Sequence, residues 1–242
     1  MRKHAGPVHL QPEAGTASGR DGFIVSAWLT KLPFRWTDMD KGSRTRRFAK
    51  DETLFLEGQP ADTVYVIVEG RIRLTSYAFD GKERHLVIVG PNGLVGDCGL
   101  RSTGSYVVSA VAASDAVVQA VPVATVLAVL DHHPALMAQQ QALASMRLRV
   151  MLRHLALQGA NSSRRRVCLH LGDLLLSYGV PHADGSAISI AFTQQEMGSI
   201  CGLSRVSVSH IFSQLEREQV IGRAGRLVVV RDPVRLEFLS RT

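Results

Sequence analysis

The hydrophobic rhythm of the chain changes several times along its length. Gly22–Phe34 spaces its apolar residues at helical intervals and predicts a short amphipathic helix. Residues 44–122 then carry short runs of Val, Ile and Thr broken by Gly, Pro, Asn and Asp: TLFLEG, TVYVIVEGRIRLTSYAFDGKERHLVIVGPNG and YVVSAVAASDAVVQAVP. Short strands at regular spacing with glycine turns predict an antiparallel barrel or sandwich. FDGKE, between two alternating runs, predicts a hairpin, because Asp-Gly supplies the positive φ that a tight turn needs.

Beyond Pro122 the pattern becomes helical. Pro134–Gly159 has no internal proline or glycine, and Leu136, Leu143, Val150 and Leu157 recur every seven residues beside a second stripe of Met137, Ala144 and Met151. A stripe this wide can face the β-domain on one side and a partner helix on the other. The length of the helix favours dimerisation, and hence a symmetric dimer, over an ordinary core helix. GANSS (159–163) ends that helix, caps the next and makes a natural hinge. A helix over 164–178, a turn and strand in HADGSAISI, two short helices and the paired runs of VIGRAGRLVVV outline a winged helix-turn-helix. The fold class expected is α+β. A loose extension (1–21) precedes a β-domain (22–132), a long helix with its hinge (133–160) and a winged helix (161–242).

Composition adds little to this outline. The net charge of +7 is spread along the chain, roughly +3 over 1–60, +1 over 61–160 and +3 over 161–242, which permits a polyanionic partner without demanding one. Cys98, Cys168 and Cys201 lie far apart with no CxxC, which speaks against a disulfide framework or a cysteine metal cluster, and no metal site is expected. The N-terminus has no apolar core of signal-peptide length and no segment approaches a membrane span, so a cytoplasmic protein without a membrane partner is expected. There is no GxSxG, HExxH, P-loop or paired-carboxylate cluster on which an enzymatic chemistry would rest.

The chemistry concentrates in TQQEMGSICGLSRVSVSHIFSQLE. Thr193 and Glu196 have capping-box spacing, Gly202 takes a turn, and Ser204 caps a second helix. Val208, Ile211, Phe212 and Leu215 form the buried face of that helix, leaving Arg205, Val206, Ser207, Ser209, His210 and Ser213 outward. Arg205 sits at the N-terminal end, which in such motifs enters the major groove, and arginine makes two hydrogen bonds to guanine O6 and N7. Ser204 and Ser207 suit phosphate oxygens, as do the free N–H groups of the helix start. His210, one turn on, can reach a base or a phosphate. Arg164–Arg166 at the start of a helix read either as a phosphate-facing or interdomain contact or as a solvated basic face.

With both motifs in order, the sequence resembles the CRP/FNR family of bacterial transcription regulators from about residue 24 onward. TLFLEGQPADTVYVIVEGRIRLTSYAFDGKERHLVIVGPNGLVGDCGL is similar to the β-roll of that family, with glycines at Gly58, Gly70, Gly81, Gly93 and Gly96. The resemblance implies a homodimer with an N-terminal effector β-roll and a winged helix that binds an inverted repeat in double-stranded DNA. It implies that Arg205 reads guanine, that Ser204 and Ser207 touch phosphate, that Thr193, Gln194, Ser209 and His210 belong to the DNA-facing set and that Gly225 lies in the wing. It also implies that the hairpin Phe79–Glu83 can touch RNA polymerase. Two departures matter: Val206 stands where much of the family has glutamate, and His210 where cyclic-AMP-dependent members have arginine. Valine cannot accept from cytosine N4, though its methyls can meet a thymine methyl.

The resemblance places an effector pocket at Gly96, Asp97, Ser105, Met151 and Leu152. The family's phosphate-binding arginine is missing there. Gly104-Ser105 takes the Arg-Ser position, Arg101 is out of register, and Met151 and Leu152 replace the base-contacting polar residues. A cyclic phosphate would lose its charge-assisted contact, so canonical cyclic AMP is not expected. Three readings stay open: a more apolar ligand, a redox or gas sensor, or no small-molecule control. The cysteine cluster of the oxygen-sensing branch is absent, so an iron–sulfur cluster is not expected. Cys98 with His85 or His154 could ligate haem, but a lone cysteine in a β-roll reads better as a small buried hydrophobe. His132 and His133 read as cap or surface residues. The competing functional class is a binding module whose winged helix does not read sequence.

Overall fold

The computed structural model describes residues 26–36, 39, 42–77, 83–101, 104–156 and 162–241. Strands β1 (Trp28–Leu29), β2 (Arg44–Phe48), β3 (Thr53–Phe55), β4 (Thr63–Glu69), β5 (Ile72–Tyr77), β6 (Glu83–Val89), β7 (Leu94–Val95), β8 (Ser109–Ala112) and β9 (Ala116–Pro122) build the N-terminal domain. They form one sheet in the order β1-β6-β5-β8-β3 and a second in the order β2-β9-β4-β7. Val64, Ile67, Ile72, Ile88, Val118 and Val121 are among the side chains buried in the core of the molecule. Gly70 turns the chain from β4 into β5 at φ +78°, and a Cβ there would stand 2.1 Å from the carbonyl oxygen of Asp115, so the turn requires glycine. β5 and β6 pair antiparallel with Tyr77 opposite Glu83, as the FDGKE signal predicts, while the tip, Phe79–Lys82, lies outside the described residues.

The expected helix over Gly22–Phe34 is not formed in its described part. Trp28 and Leu29 are instead a strand parallel to β6, with Trp28 opposite Ile88. Both side chains are fully buried, and the Ile88 and Gly90 N–H groups bond the carbonyls of Ala27 and Leu29 at 2.8 and 2.9 Å. A segment whose backbone groups are taken by a neighbouring strand has no use for helical bonds of its own. Residues 1–25 lie outside the described part.

Helices α1 (Val123–His132) and α2 (Pro134–Ala156) follow, and α2 has two different faces. Leu136, Leu143, Met146 and Val150 turn inward and are buried, Leu143 and Val150 completely. The sequence expectation that Leu136, Leu143 and Val150 meet a partner helix is therefore corrected: this stripe is covered by its own protomer. Leu157 lies outside the described residues. The outward face carries Ala138, Gln141, Ser145, Leu148, Leu152 and Leu155, spaced alternately three and four apart. Leu148, Leu152 and Leu155 are 59%, 56% and 60% exposed.

The C-terminal domain comprises α3 (Ser163–Tyr178), β10 (Gly179–His182), β11 (Gly185–Ile188), α4 (Gln194–Cys201), α5 (Arg205–Arg217), β12 (Ile221–Ala224), β13 (Leu227–Val230) and α6 (Pro233–Arg241). Its sheet runs β10-β11-β13-β12. Ser162 caps α3 through a bond from the Arg165 N–H; the rest of the predicted hinge, Gly159–Asn161, lies outside the described residues. Helix α6 was not foreseen, though its start is written in Asp232-Pro233: proline fits the first helical position, and Asp232 Oδ1 accepts the Arg235 N–H at 2.8 Å.

Because Leu143 faces the interior, Leu143→Ala should lower stability by about 2–5 kcal/mol. Urea denaturation at two protein concentrations checks this; a loss that appears only on dilution would return Leu143 to the subunit interface.

Candidate nucleic-acid interface

Local bonding fixes the helix-turn-helix before any tertiary contact is considered. Thr193 Oγ1 accepts the Glu196 N–H at 3.1 Å, and Glu196 Oε2 accepts the Thr193 N–H at 2.7 Å, closing the predicted capping box. Gly202 ends α4 in the left-handed region at φ 65°. Leu203 then donates to the carbonyl of Gly198 at 2.7 Å, an approach so close that a Cβ on Gly198 would stand 2.7 Å from Leu203 O. Ser204 Oγ accepts the Ser207 N–H at 3.1 Å and begins α5.

Helix α5 buries Val208, Ile211, Phe212 and Leu215, as its sequence predicts. Arg205, Val206, Ser207 and His210 are exposed, Val206 by 67%, while Ser209 is only half-buried and contributes less surface than expected. The hydroxyls of Ser204 and Ser207 lie 2.9 Å apart and share one hydrogen bond, which leaves one proton to donate outward. Thr193 spends its oxygen on the cap, and Gln194 is half-buried beside it. Gly225, at φ 59°, turns the wing between β12 and β13 and leaves Arg226 exposed at the tip. Neither Arg205 nor Arg226 forms an ion pair among the described residues.

Arg164–Arg166 are largely structural. Arg164 pairs with Glu218 at the end of α5, and Arg165 Nε bonds the Ser240 carbonyl of α6 at 3.0 Å. These bonds knit the winged helix together internally.

The predicted effector residues do not gather into one pocket. A small cavity of about 10 Å³ in the β-roll is lined by Phe55, Leu74, Gly96, Cys98, Gly99, Tyr106, Val107 and Val108, so Gly96 alone of the expected set lines it. Leu152 points outward on α2, Met151 is half-buried, and Ser105 forms a bridge with Pro60. Asp97 is 2% exposed and turns to Arg147, whose Nη1 lies 2.7 Å from its Oδ1. Arg147 also bonds the Leu94 carbonyl and approaches Cys98 Sγ at 3.6 Å. Sequence reasoning missed this arginine; the available signal was a lone cation within the inward stripe of α2. Arg101 pairs with Asp131 on the surface. The rings of Phe55 and Tyr106 stack with centroids 3.8 Å apart, and Tyr106 Oη donates to Thr63 O at 2.7 Å.

Among the described residues no cationic side chain lines the cavity, and Arg147, which approaches the lining residue Cys98, is already matched by a carboxylate and a carbonyl, so these residues do not fit a cyclic phosphate. Cys98 is exposed, not buried as its sequence suggests, yet partial desolvation and the neighbouring Asp97 carboxylate push its thiol up, away from the thiolate that a reactive cysteine or metal ligand requires. His154 packs edge-on to His170, and His85 faces Glu83. Among the described residues, no group of three or more His, Cys, Asp or Glu gathers around a possible metal position.

Two protein families match successive parts of the chain. The cyclic nucleotide-binding domain family matches residues 45–133, and the Crp-like helix-turn-helix domain family matches residues 151–239. The chain belongs to the CRP/FNR family of transcription regulators. Within that family it is 25% identical to the CRP-like cAMP-activated global transcriptional regulator of Mycobacterium tuberculosis, over 80% of this chain and 87% of that protein. It is 29% identical to the Anaerobic regulatory protein of Bacillus subtilis, over 90% and 91% of the two chains. The structure of FixK2 from Bradyrhizobium japonicum superposes with a TM-score of 0.66 at 25% identity, covering 81% of this chain and 96% of that one. Family membership thus supplies a transcription regulator with a DNA-binding helix-turn-helix, while the β-roll of this member carries an ion pair and stacked rings around a small apolar cavity.

The buried pair yields a direct expectation. Asp97→Ala strands the Arg147 charge in the interior and should cost about 3–5 kcal/mol, measured by chemical denaturation. A change below about 1 kcal/mol would mean that water reaches Arg147.

Proposed function

We propose that this regulator acts as a homodimer that reads an inverted repeat in double-stranded DNA, with Arg205 recognising a guanine in each half-site. The division of α5 into an anchored and an exposed face carries this reading: four buried side chains hold the helix, while Arg205, Val206, Ser207 and His210 are exposed toward its N-terminal end. Arg205, which forms no ion pair among the described residues, takes guanine O6 and N7, and Val206 offers methyls to a thymine beside it. Ser204, Ser207 and the first N–H groups of α5 take phosphate, with His210 further along and Arg226 on the wing.

The dimer forms through the outward seam of α2. Leu148, Leu152 and Leu155 are apolar, exposed and spaced as a coiled-coil seam requires, continued toward the N-terminus by the small residues Ser145 and Ala138. Two-fold symmetry then presents two reading helices to two half-sites in opposite orientation. The β-roll answers to something other than a cyclic nucleotide, because its lining is apolar and its nearest cation is neutralised. Relatives of similar identity carry names that point to different signals, cyclic AMP in one and anaerobic growth in the other. RNA polymerase contact through Phe79–Glu83 and a cytoplasmic location complete the proposal; no helix among the described residues is long and apolar enough to cross a membrane.

Selection from a random duplex library, with no ligand added and at fixed salt, should enrich an inverted repeat with guanine in each half-site. On the selected site Arg205→Ala should cost about 1–3 kcal/mol and relax preference at that base pair. Equal binding of variant and parent to selected and random duplexes would replace sequence reading with non-specific contact. For the seam, Leu148→Glu combined with Leu152→Glu should sediment as a folded monomer; a dimer surviving both charges would place the interface elsewhere.

A further inference from the structure

Helices α2 and α3 meet through polar side chains. Arg153 and His154, in the last turn of α2, face Asp173 and His170, which lie one turn apart on α3. Arg153 Nε and Nη2 lie 3.2 and 3.0 Å from Asp173 Oδ1, and Asp173 is 2% exposed. The rings of His154 and His170 pack edge to face with centroids 5.2 Å apart. His170 is buried and His154 half-buried. A different face of α3 carries Val167, Leu171 and Leu174 into the apolar core, so the winged helix does not depend on the histidines to hold itself together. The groups acting on His170 are His154 and Arg153 of α2 and Arg166 of its own helix. All three are cations or become cations on taking a proton. The acid one turn away, Asp173, is spent on Arg153. On the other elements packed against α3, Glu196 of α4 pairs with Arg71, Glu218 after α5 with Arg164 and Glu237 of α6 with Arg241, while His182 of β10 accepts the Asp184 N–H. None of these offsets a charge formed on the histidine pair.

We propose that the His154–His170 pair is a proton-operated release, through which acid parts α3 from the end of α2 and loosens the winged helix on the long helix. An imidazolium formed at this junction would join Arg153 and Arg166 where water is excluded and like charges repel strongly. Burial pulls the His170 imidazole down to about 3, with His154, Arg153 and Arg166 acting in the same sense, and burial lowers His154 as well. Both rings are therefore neutral while the junction is closed. Parting the helices lets water in and returns each ring to the ordinary imidazole value of about 6.5, so the open form binds protons that the closed form refuses. The closed form keeps its full advantage above that value and loses it as the pH falls below. Burial holds Asp173 above the ordinary carboxylate range, which acts in the opposite sense at the more acid end. The consequence for DNA rests on the proposed dimeric reading, because two winged helices meet two half-sites only while α2 fixes their spacing. Once loosened they must be ordered again on binding, and affinity for the inverted repeat falls.

The test compares the full chain with His170→Gln and, separately, His154→Gln at pH 7.5 and 5.5. Hydrogen exchange, corrected for the intrinsic pH dependence of amide exchange, is followed over 150–156 and 166–178, with β6 as the internal reference. Opening of the two helix segments in the parent should rise at least about 10-fold over this step, the share of one imidazole whose pKa climbs to about 6.5 on opening, while β6 stays level. His170→Gln should remove that share, and His154→Gln should leave it. By anisotropy on the selected inverted repeat, the parent should lose about 3–10-fold in affinity relative to His170→Gln over the same step. A flat parent, or a rise shared equally by β6, overturns the release, and a rise that survives in His170→Gln overturns it as well. Local opening without the loss of affinity overturns its effect on DNA binding. A parent with no sequence preference fails the dimeric reading instead, and exchange still decides the release. Should His170→Gln not fold, His170→Phe keeps a ring against His154, takes no proton and serves in its place.

Discussion

The Arg147–Asp97 pair fixes how the long helix sits on the β-roll. A guanidinium and a carboxylate removed from water lose their hydration, and the pair survives only with good geometry and further hydrogen bonds. Here the bond to Leu94 O and the approach of Cys98 Sγ supply that support. Satisfying Arg147 requires its face of α2 to point inward, and Leu143, Met146 and Val150 are carried inward with it. The opposite face, with Leu148, Leu152 and Leu155, is then presented outward. One buried contact thus sets which residues close the β-roll and which remain available to a second chain. It also removes the nearest cation from any ligand in the cavity, so the same contact that seats the helix weighs against an anionic effector.

The legibility of the sequence varied with how local each decision was. The capping box at Thr193 and Glu196, the turn at Gly202, the cap at Ser204 and the buried face of α5 depend on residues within a few positions of one another, and each was readable as written. The alternating strands of the β-roll were readable for the same reason, since every strand displays its own periodicity. The seam of α2 was not. A helix with apolar residues on two faces does not say which face is taken, and Leu136, Leu143 and Val150 scored well as a heptad while belonging to the interior. What decided it was Arg147, whose partner lies 50 residues away in the chain. Likewise Trp28 and Leu29 have helical spacing around them, yet β6 and Tyr178 take their backbone groups, and neither is near in sequence.

The effector region shows the same limit from the other side. Position in the family's pattern selected Gly96, Asp97, Ser105, Met151 and Leu152, and the folded chain separates them: one lines the cavity, one is neutralised, one sits at a bridge, one is half-buried on α2 and one faces outward. A pattern carried over from relatives keeps the location of a pocket better than its lining, because the lining changes with single substitutions while the strands around it persist. Here Tyr106 stacked on Phe55 gives that lining a packed ring surface.

Charge is the clearest instance of information that only the fold releases. The net charge of +7 does not by itself say where a polyanion would bind, because several arginines are matched within the protein: Arg71 with Glu196, Arg73 with Asp51, Arg147 with Asp97, Arg153 with Asp173, Arg164 with Glu218 and Arg223 with Glu216. Pairing cancels the far field of each such arginine while keeping its local bonds. On the winged helix, the cations without an ion pair among the described residues include Arg205 at the start of α5 and Arg226 at the tip of the wing, which flank the surface a duplex would follow. The discriminating quantity is therefore the residue of charge that internal pairing leaves behind. In this protein that residue includes the side chain proposed to read a base.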